Sequence, residues 1–126
     1  MSQEFNIEII SPNKSIYRGK TEEAVLPCFE GQVTILKDHI SLITFLRPGL
    51  IEVGKNEKFY AEEGTIEFSN NSLIILSTTV QNLKNINSEQ KTVMLRDAET
   101  KLLENQLSDK QKYILNYKLE TLKQIN

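Results

Sequence analysis

Hydrophobic and polar residues alternate with a period of two along the first two thirds of the chain. Phe5, Ile7 and Ile9 alternate with polar neighbours and are followed by the turn signal Ser11-Pro12-Asn13, a combination typical of a half-buried β-strand. Eight further strand segments follow, at residues 15–18, 24–26, 31–36, 42–46, 50–53, 59–61, 64–68 and 73–76. Short strands at this spacing, with no helical stretch between them, predict a sandwich or barrel. The segment at 24–26 is expected to end at Pro27.

The pattern changes to a helical period after about residue 85. All five glycines and all three prolines lie within the first 64 residues. Apolar residues then recur at steps of three and four in two runs, Met94, Ala98 and Leu102 (with Leu95 and Leu103 beside them), and Leu115, Leu119 and Leu122. Asn87 and Ser108 each stand three residues before a glutamine, which is the pattern of a capping box. The sequence therefore predicts an antiparallel helical hairpin.

The expected domains are a β domain over residues 1–84 and a helical hairpin over residues 85–126. Two helices alone bury too little surface to be stable. The apolar stripes of the hairpin must therefore pack on the β domain, on another subunit, or on both. The hairpin is thus a segment whose docking could change.

Composition and charge exclude several classes of function. Fifteen basic and seventeen acidic residues give a net charge of −2, without the basic excess of a nucleic-acid-binding surface. One cysteine and one histidine cannot supply the several ligands of a usual zinc site. No apolar run is long enough to span a membrane, and the N-terminus lacks the pattern of a secretory signal. We expect a soluble protein of a reducing, cytoplasm-like compartment, with no metal and no direct membrane insertion.

The candidates for catalysis are weak. Cys28 and His39 are the one available pair of thiol and imidazole, and no signature surrounds them. The acidic pairs Glu22-Glu23 and Glu62-Glu63 are adjacent in predicted strands, where neighbouring side chains point to opposite faces. No glycine-rich phosphate-binding motif occurs. We therefore expect no catalytic residue and no cofactor.

Polar residues cluster around turns in the segment from Phe29 to Gly49, among them Glu30, Gln32 and His39. Ordinary turn chemistry explains such a cluster. The alternative is a contact surface that loops present on a rigid sandwich.

The order of residues in the β domain resembles the epsilon subunit of bacterial F-type ATP synthase, called delta in mitochondria. The matching residues are Pro12, Ile16-Tyr17-Arg18-Gly19, Glu22 to Pro27, Glu30 to Leu36, His39, Leu42 to Thr44, Leu46 and Pro48-Gly49. The stretch from Gly64 to Leu76 is also similar, so the resemblance covers nearly all of residues 5–80.

The resemblance implies a flattened β-sandwich of about ten strands followed by an antiparallel α-helical hairpin. One end of such a sandwich meets the c-ring of the membrane sector, and another surface packs on the gamma subunit. The resemblance further implies that the protein is not catalytic and that it couples proton-driven rotation of the c-ring and gamma to ATP synthesis. We therefore expect it to be held through the complex at the cytoplasmic face of the bacterial inner membrane.

Carried over residue by residue, the c-ring contact falls on Glu30, Gly31 and Gln32, with His39 expected in a second turn near the same end. Gln32 stands where many members have Glu, and Lys37-Asp38 where many have Pro-Gly. The details of the c-ring contact therefore differ from the family pattern.

In many members the hairpin extends into the catalytic head of alpha and beta subunits and restrains ATP hydrolysis. Some bind ATP through an [IL]-D-x-x-R-A pattern. Here Arg96 is followed by Asp97 instead of Ala, so we expect no tight ATP binding. Four lysines of the second helix could meet an acidic surface of the head or form an ordinary solvated face, namely Lys110, Lys112, Lys118 and Lys123.

Hypotheses from other classes of function stay open at this point. The leading one is a stand-alone module that binds a small ligand or nucleotide on the same fold, which calorimetry with ATP on the isolated chain would detect. The apolar stripes of the hairpin also permit self-association.

Overall fold

The structure, a computed structural model, describes residues 3–125. Over that range the chain forms ten strands, one 3-10 turn at Leu83–Asn85 and two helices. The strands are β1 Phe5–Ser11, β2 Lys14–Thr21, β3 Glu23–Cys28, β4 Gly31–Leu36, β5 Leu42–Leu46, β6 Gly49–Val53, β7 Glu57–Ala61, β8 Gly64–Ser69, β9 Ser72–Leu76 and β10 Gln81–Asn82. The helices are α1 Ser88–Leu102 and α2 Asp109–Gln124. The predicted β-sandwich followed by a helical hairpin is confirmed.

The strands are hydrogen-bonded in the order β10-β7-β6-β3-β5-β8-β9-β1-β2, with β4 paired to β3 off this path. Strand β3 joins the two halves of the sandwich, because it pairs with β6 at Ala24 and Val25 and with β5 at Cys28. Alternate side chains of both halves point inward and form one core. Its fully buried members include Ile9, Leu26, Ile35, Ile51, Phe59, Ile66, Leu73 and Ile75.

The strand predicted to end at Pro27 continues to Cys28. Pro27 has no N–H to donate, but its carbonyl oxygen accepts the N–H of Arg47 at 2.9 Å. The proline therefore lies inside β3, paired with Gln32 of β4. The pattern also missed β10, which is two residues long and too short to show a period.

Both helices begin where the sequence predicts. The Asn87 side chain accepts the N–H of Gln90 at 2.8 Å, and the Gln90 side chain accepts the N–H of Asn87 at 3.0 Å. Ser108 and Gln111 exchange the same two bonds at 3.1 and 2.8 Å. Two complete capping boxes therefore satisfy N–H groups at the starts of α1 and α2.

The hairpin packs on β6 and β7, on the side opposite the core of the sandwich. Tyr60 of β7 is fully buried beneath it, together with Leu122 and Ile125 of the C-terminal end. Between the two helices lies a third cluster around Ala98, Leu115 and Leu119. In this structure the apolar stripes thus pack on the sandwich, which was one of the alternatives left open.

Leu103 is an exception to the predicted helical stripe. It caps the C-terminus of α1 and is 81% exposed, because the helix ends one residue earlier and the chain turns away. Neither helix of the described chain has the length and hydropathy of a membrane-spanning segment.

Candidate functional site at the turn between β3 and β4

The tip of the β3–β4 hairpin is a two-residue turn. Cys28 and Gly31 are paired across it, and Phe29 and Glu30 project between them. Gly31 has φ of 128°, a backbone conformation that residues with a Cβ rarely adopt. The glycine therefore allows the turn to be tight, and Glu30 is exposed at its end.

The carboxylate of Glu30 is held by Thr44 of β5. The Thr44 hydroxyl lies 2.8 Å from each carboxylate oxygen and donates to them. Thr44 itself is 7% exposed. This hydrogen bond lowers the pKa of Glu30 from the ordinary value of 4.5, since it favours the charged form. At neutral pH the turn thus carries one oriented negative charge.

Gln32 follows the turn as the second residue of β4 and is also exposed. It adds an amide that can donate and accept hydrogen bonds. Glu30, Gly31 and Gln32 therefore present a carboxylate, an open stretch of backbone and an amide side by side. Such a surface suits a partner loop with polar or basic donors. The structure brings these three predicted residues together.

His39 does not belong to this group. It follows the opposite end of β4, where Leu36 pairs with Glu23. The five residue steps from Gly31 to Leu36 separate the two turns by roughly 17 Å, at roughly 3.3 Å per residue. The expectation that His39 lies at the same end as Glu30 is wrong, because an extended strand lies between them.

The His39 loop is fixed by a different set of contacts. The His39 ring lies edge-on to Phe68, with centroids 5.9 Å apart, and its Nδ1 is 2.7 Å from the Ile40 carbonyl oxygen. Asp38 has φ of 65°. Its N–H donates to Asn71 Oδ1 at 2.7 Å, and Asn71 Nδ2 donates to its carboxylate at 2.9 Å. This loop is therefore tied to the β8–β9 turn.

The candidates for cysteine catalysis are also separated. Cys28 is fully buried, and burial raises the pKa of its thiol to about 11. It lies at the Glu30 end of β4 and His39 lies at the other, so the two do not form a nucleophile and base pair. Among the described residues, no three of the His, Cys, Asp and Glu side chains converge as metal ligands would.

The acidic pair Glu62-Glu63 is structural. Glu62 accepts the Tyr60 hydroxyl at 2.9 Å and pairs with Lys118 of α2 at 3.1 Å. Glu63 instead accepts the N–H of Thr78 at 2.8 Å. The two carboxylates thus hold different segments and do not converge.

The predicted basic residues of the hairpin do not share one face. At 100° per residue, Lys112 and Lys123 lie on the same side of α2, whereas Lys110 and Lys118 point elsewhere. Lys118 pairs with Glu62 of the sandwich. Lys110 lines a groove of about 570 Å³ with Phe29 and Phe45. The remaining three, Arg96, Lys112 and Lys123, are exposed.

A second surface, which we call the outer face, is formed by Ile43, Phe45, Ile74 and Leu76. These side chains of β5 and β9 are 76%, 56%, 36% and 49% exposed. The register places Ile43 and Ile74 on either side of Glu67, and Phe45 and Leu76 on either side of Thr65. Apolar side chains grouped in this way on a sheet mark an interaction surface. The alternation in the sequence did not reveal which of the two strand faces would be left open.

Several residues around the turn were not singled out from the sequence. Tyr113 of α2 lies against Phe29, and Arg47 of the β5–β6 turn donates to the Cys28 carbonyl oxygen. Tyr117 of α2 packs against both Tyr113 and Arg47. The spacing of the two tyrosines by four residues is the one signal in the sequence, and it indicates only that they share a helix face.

Comparison with known proteins identifies the family. The family described as ATP synthase, Delta/Epsilon chain, beta-sandwich domain matches residues 4–82. An ATP synthase epsilon chain of Pelagibacter ubique is 39% identical over all of this chain and all of its own length. One from Prochlorococcus marinus is 29% identical over 96% of this chain and 90% of its own.

Solved structures share the fold. A chain of the mitochondrial ATP synthase of Euglena gracilis has a TM-score of 0.75 at 16% identity, over 98% of this chain and 79% of its own. A chain of the central stalk and c-ring of the Tetrahymena thermophila enzyme has a TM-score of 0.65 at 14% identity, over 94% and 92%. With a matching β-sandwich and a relative similar over its full length, the chain belongs to the ATP synthase epsilon chain family.

Proposed function

We propose that this protein is a non-catalytic subunit of the central stalk of an F-type ATP synthase. The observation that carries the proposal is full-length similarity to an epsilon chain in a molecule that has both the β-sandwich and the hairpin. The protein couples proton-driven rotation of the c-ring and gamma to ATP synthesis in the alpha/beta head. It is peripheral, and the complex holds it at the cytoplasmic face of the bacterial inner membrane.

The c-ring contact is assigned to Glu30, Gly31 and Gln32. The turn is exposed, its charge is oriented by Thr44, and it projects from a strand pair anchored in the core. A rigid turn can transmit torque through shape and several hydrogen bonds, without one specific ion pair. His39 belongs to a separate loop, so a contact of His39 with the c-ring needs a second site on that partner.

The gamma contact is assigned to the outer face. Its four apolar side chains lie on β5 and β9, on either side of Glu67 and Thr65 of β8. Ile40 continues them at 79% exposure before the start of β5. Glu67 lies among them and favours a partner with a basic residue at the centre of an apolar patch. On this assignment residues 1–84 contact gamma and the ring, and residues 85–126 form the regulatory part.

A pull-down of the tagged chain from its native membranes tests both the complex and the surface. We expect gamma, alpha, beta and c-subunit to be recovered with the unmodified chain. Ile43→Asp should lose gamma, because it places a charge within the apolar contact. Leu103→Asp, the matched control at the tip of the hairpin, should retain it. Recovery of none of these subunits from intact complexes would contradict the proposed role, and retention of gamma by Ile43→Asp would contradict the assigned surface.

The hairpin is assigned a regulatory role in which an extended form meets the head through Arg96, Lys110, Lys112, Lys118 and Lys123. All of these except Lys118 are already exposed in the docked form. Lys118 becomes available only when its pair with Glu62 breaks. Undocking therefore has a defined electrostatic cost within the chain.

A further inference from the structure

The first half of α2 lies directly against the residue that precedes Glu30. The ring of Tyr113 stacks on the ring of Phe29, with centroids 5.9 Å apart and planes at 15°. The Tyr113 hydroxyl donates a hydrogen bond to the Phe29 carbonyl oxygen at 3.3 Å. These two residues are 84 positions apart in the chain, so the contact exists only while the hairpin is docked.

The backbone carbonyl group of Cys28, the residue before Phe29, is also held. Arg47 Nε donates to the Cys28 carbonyl oxygen at 3.0 Å. The Arg47 guanidinium also lies 3.9 Å from the centre of the Tyr117 ring, and Tyr117 packs edge-on against Tyr113 at 4.8 Å. Two successive carbonyl groups of the chain that enters the turn are thus fixed by a cluster that includes two residues of α2.

The other contacts of the turn come from β5, whose Thr44 hydroxyl holds the Glu30 carboxylate. The N–H of Phe29 donates to the Phe45 carbonyl oxygen at 3.2 Å. A Cβ added at Gly31 would meet no atom of the described residues within 4 Å, apart from its chain neighbours, so the backbone is open at this position. Ordering by Tyr113 and Arg47 therefore reduces the conformational freedom that a binding partner would otherwise have to remove.

We propose that the docked hairpin positions the Glu30 turn for its partner, with Tyr113 as the positioning residue. The inference rests on the assignment of this turn as the c-ring contact. Docking of the hairpin and binding at the turn are then linked: each favours the other by the same factor. A hairpin that leaves the sandwich loosens the contact with the ring, and a ring that holds the turn favours the docked hairpin.

Hydrogen exchange on the full-length isolated chain tests the positioning without any partner. The Phe29 amide reports on the turn, and the Leu119 amide reports on α2. Tyr113→Ala should speed exchange of Phe29 roughly five- to tenfold, since it removes both a ring contact and a hydrogen bond. Tyr113→Phe keeps the stacked ring and should restore most of the protection. The exposed neighbour Lys112→Ala is the control and should change neither amide.

The linkage between docking of the hairpin and order in the turn is tested by a substitution that weakens docking of α2 at a position far from the turn. Lys118→Met removes the pair with Glu62 and does not alter Tyr113 or Phe29. It should speed exchange at both Leu119 and Phe29. Unchanged exchange of Phe29 in Tyr113→Ala, or in a Lys118→Met chain whose Leu119 exchanges faster, would overturn the proposal.

Rebinding of full-length variants to ATP synthase depleted of this subunit tests two claims separately: that the Glu30 turn contacts the c-ring, and that Tyr113 positions this turn. Tyr113→Ala should weaken rebinding, and Tyr113→Phe should recover it. Glu30→Gln should weaken rebinding while leaving the exchange of Leu119 unchanged. If Tyr113→Ala alters exchange but neither it nor Glu30→Gln alters rebinding, the assigned ring contact fails and the positioning role fails with it. Weakened rebinding in Glu30→Gln alone would retain the contact and overturn the positioning.

Discussion

At the residue scale, the best-defined feature is the carboxylate of Glu30, which accepts the Thr44 hydroxyl with both oxygens. The two residues are 14 positions apart and belong to separate elements, the β3–β4 turn and β5. An exposed glutamate usually samples many rotamers, whereas this one is restrained before any partner binds. Restraint of this kind lowers the entropic cost of association.

Thr44→Val should return the pKa of Glu30 toward 4.5, because the hydroxyl that favours the charged form is lost. In the unmodified protein the folded pKa is below the unfolded one. The hydrogen bond therefore contributes its full stability above about pH 4.5, and that contribution disappears as the pH falls through the lower folded pKa. Titration of the Glu30 side chain by NMR measures the shift. Thr34→Val, at an exposed position of β4, is the control.

An unchanged Glu30 titration in Thr44→Val would show that another group sets the charge of the turn. The same outcome would remove the hydroxyl from the explanation of how the carboxylate is oriented.

At the element scale, a chain of polar contacts and an apolar cluster hold the C-terminal half of α2 on the sandwich. Lys118 pairs with Glu62, which also accepts the Tyr60 hydroxyl. Thr121 Oγ1 donates to the Tyr117 carbonyl oxygen within the helix at 2.7 Å and lies 3.4 Å from the Pro48 carbonyl oxygen of the sandwich. Leu122 packs on Tyr60 below them. The helix is therefore oriented by polar groups around a small buried patch, which is the composition of an interface that can open.

Lys118→Met keeps the apolar stem and removes the charge, so it should weaken docking of α2 by about 0.5–1 kcal/mol. Amide exchange within α2 should speed up a few fold, while amides of the β-sandwich core should be unchanged. Lys123→Met, on an exposed part of the same helix, should have no effect. Equal acceleration in both variants would indicate loss of helix propensity instead of loss of the ion pair.

At the scale of the whole molecule, the sandwich has three differently built surfaces. The Glu30 turn is polar and oriented, the outer face is apolar, and the face of β6 and β7 is covered by the hairpin. Of these surfaces, the face of β6 and β7 is the one that can become uncovered, by movement of the hairpin, without unfolding of the core. On the proposed assignments, partner contact and regulation are separated in space but joined through Tyr113.

Two changes that affect the hairpin should alter ATP hydrolysis by the complete complex in opposite directions. Deletion of residues 88–126 removes the proposed inhibitory segment and should raise hydrolysis per assembled complex, although the loss of Tyr113 weakens rebinding. Glu62→Gln in the full chain breaks the pair with Lys118 from the side of the sandwich, leaves Lys118 available to the head, makes the extended form more accessible and should lower hydrolysis. Both are measured as ATPase activity of purified complexes at equal subunit content. Unchanged hydrolysis after the deletion would contradict a regulatory role.

Much of the fold could be predicted from short-range patterns. The alternation at Phe5, Ile7 and Ile9 predicted β1, and the residues after Asn87 and Ser108 predicted the starts of both helices. These signals depend on neighbours within four positions, so they survive in the sequence alone. The prediction that β3 ends at Pro27 was wrong because it used only local signals. Whether a proline fits inside a strand depends on which carbonyl and amide groups lie beside it after folding.

The sequence by itself determined the elements, their amphipathic character and, through a long ordered resemblance, the family. Tertiary structure alone decided which residues share a site. It placed His39 at the other end of β4 from Glu30, left the outer face uncovered, paired Lys118 with Glu62, and set Tyr113 on Phe29. The physical reason is that these contacts join positions far apart in the chain, and their geometry follows from strand order and helix docking, which no local pattern encodes.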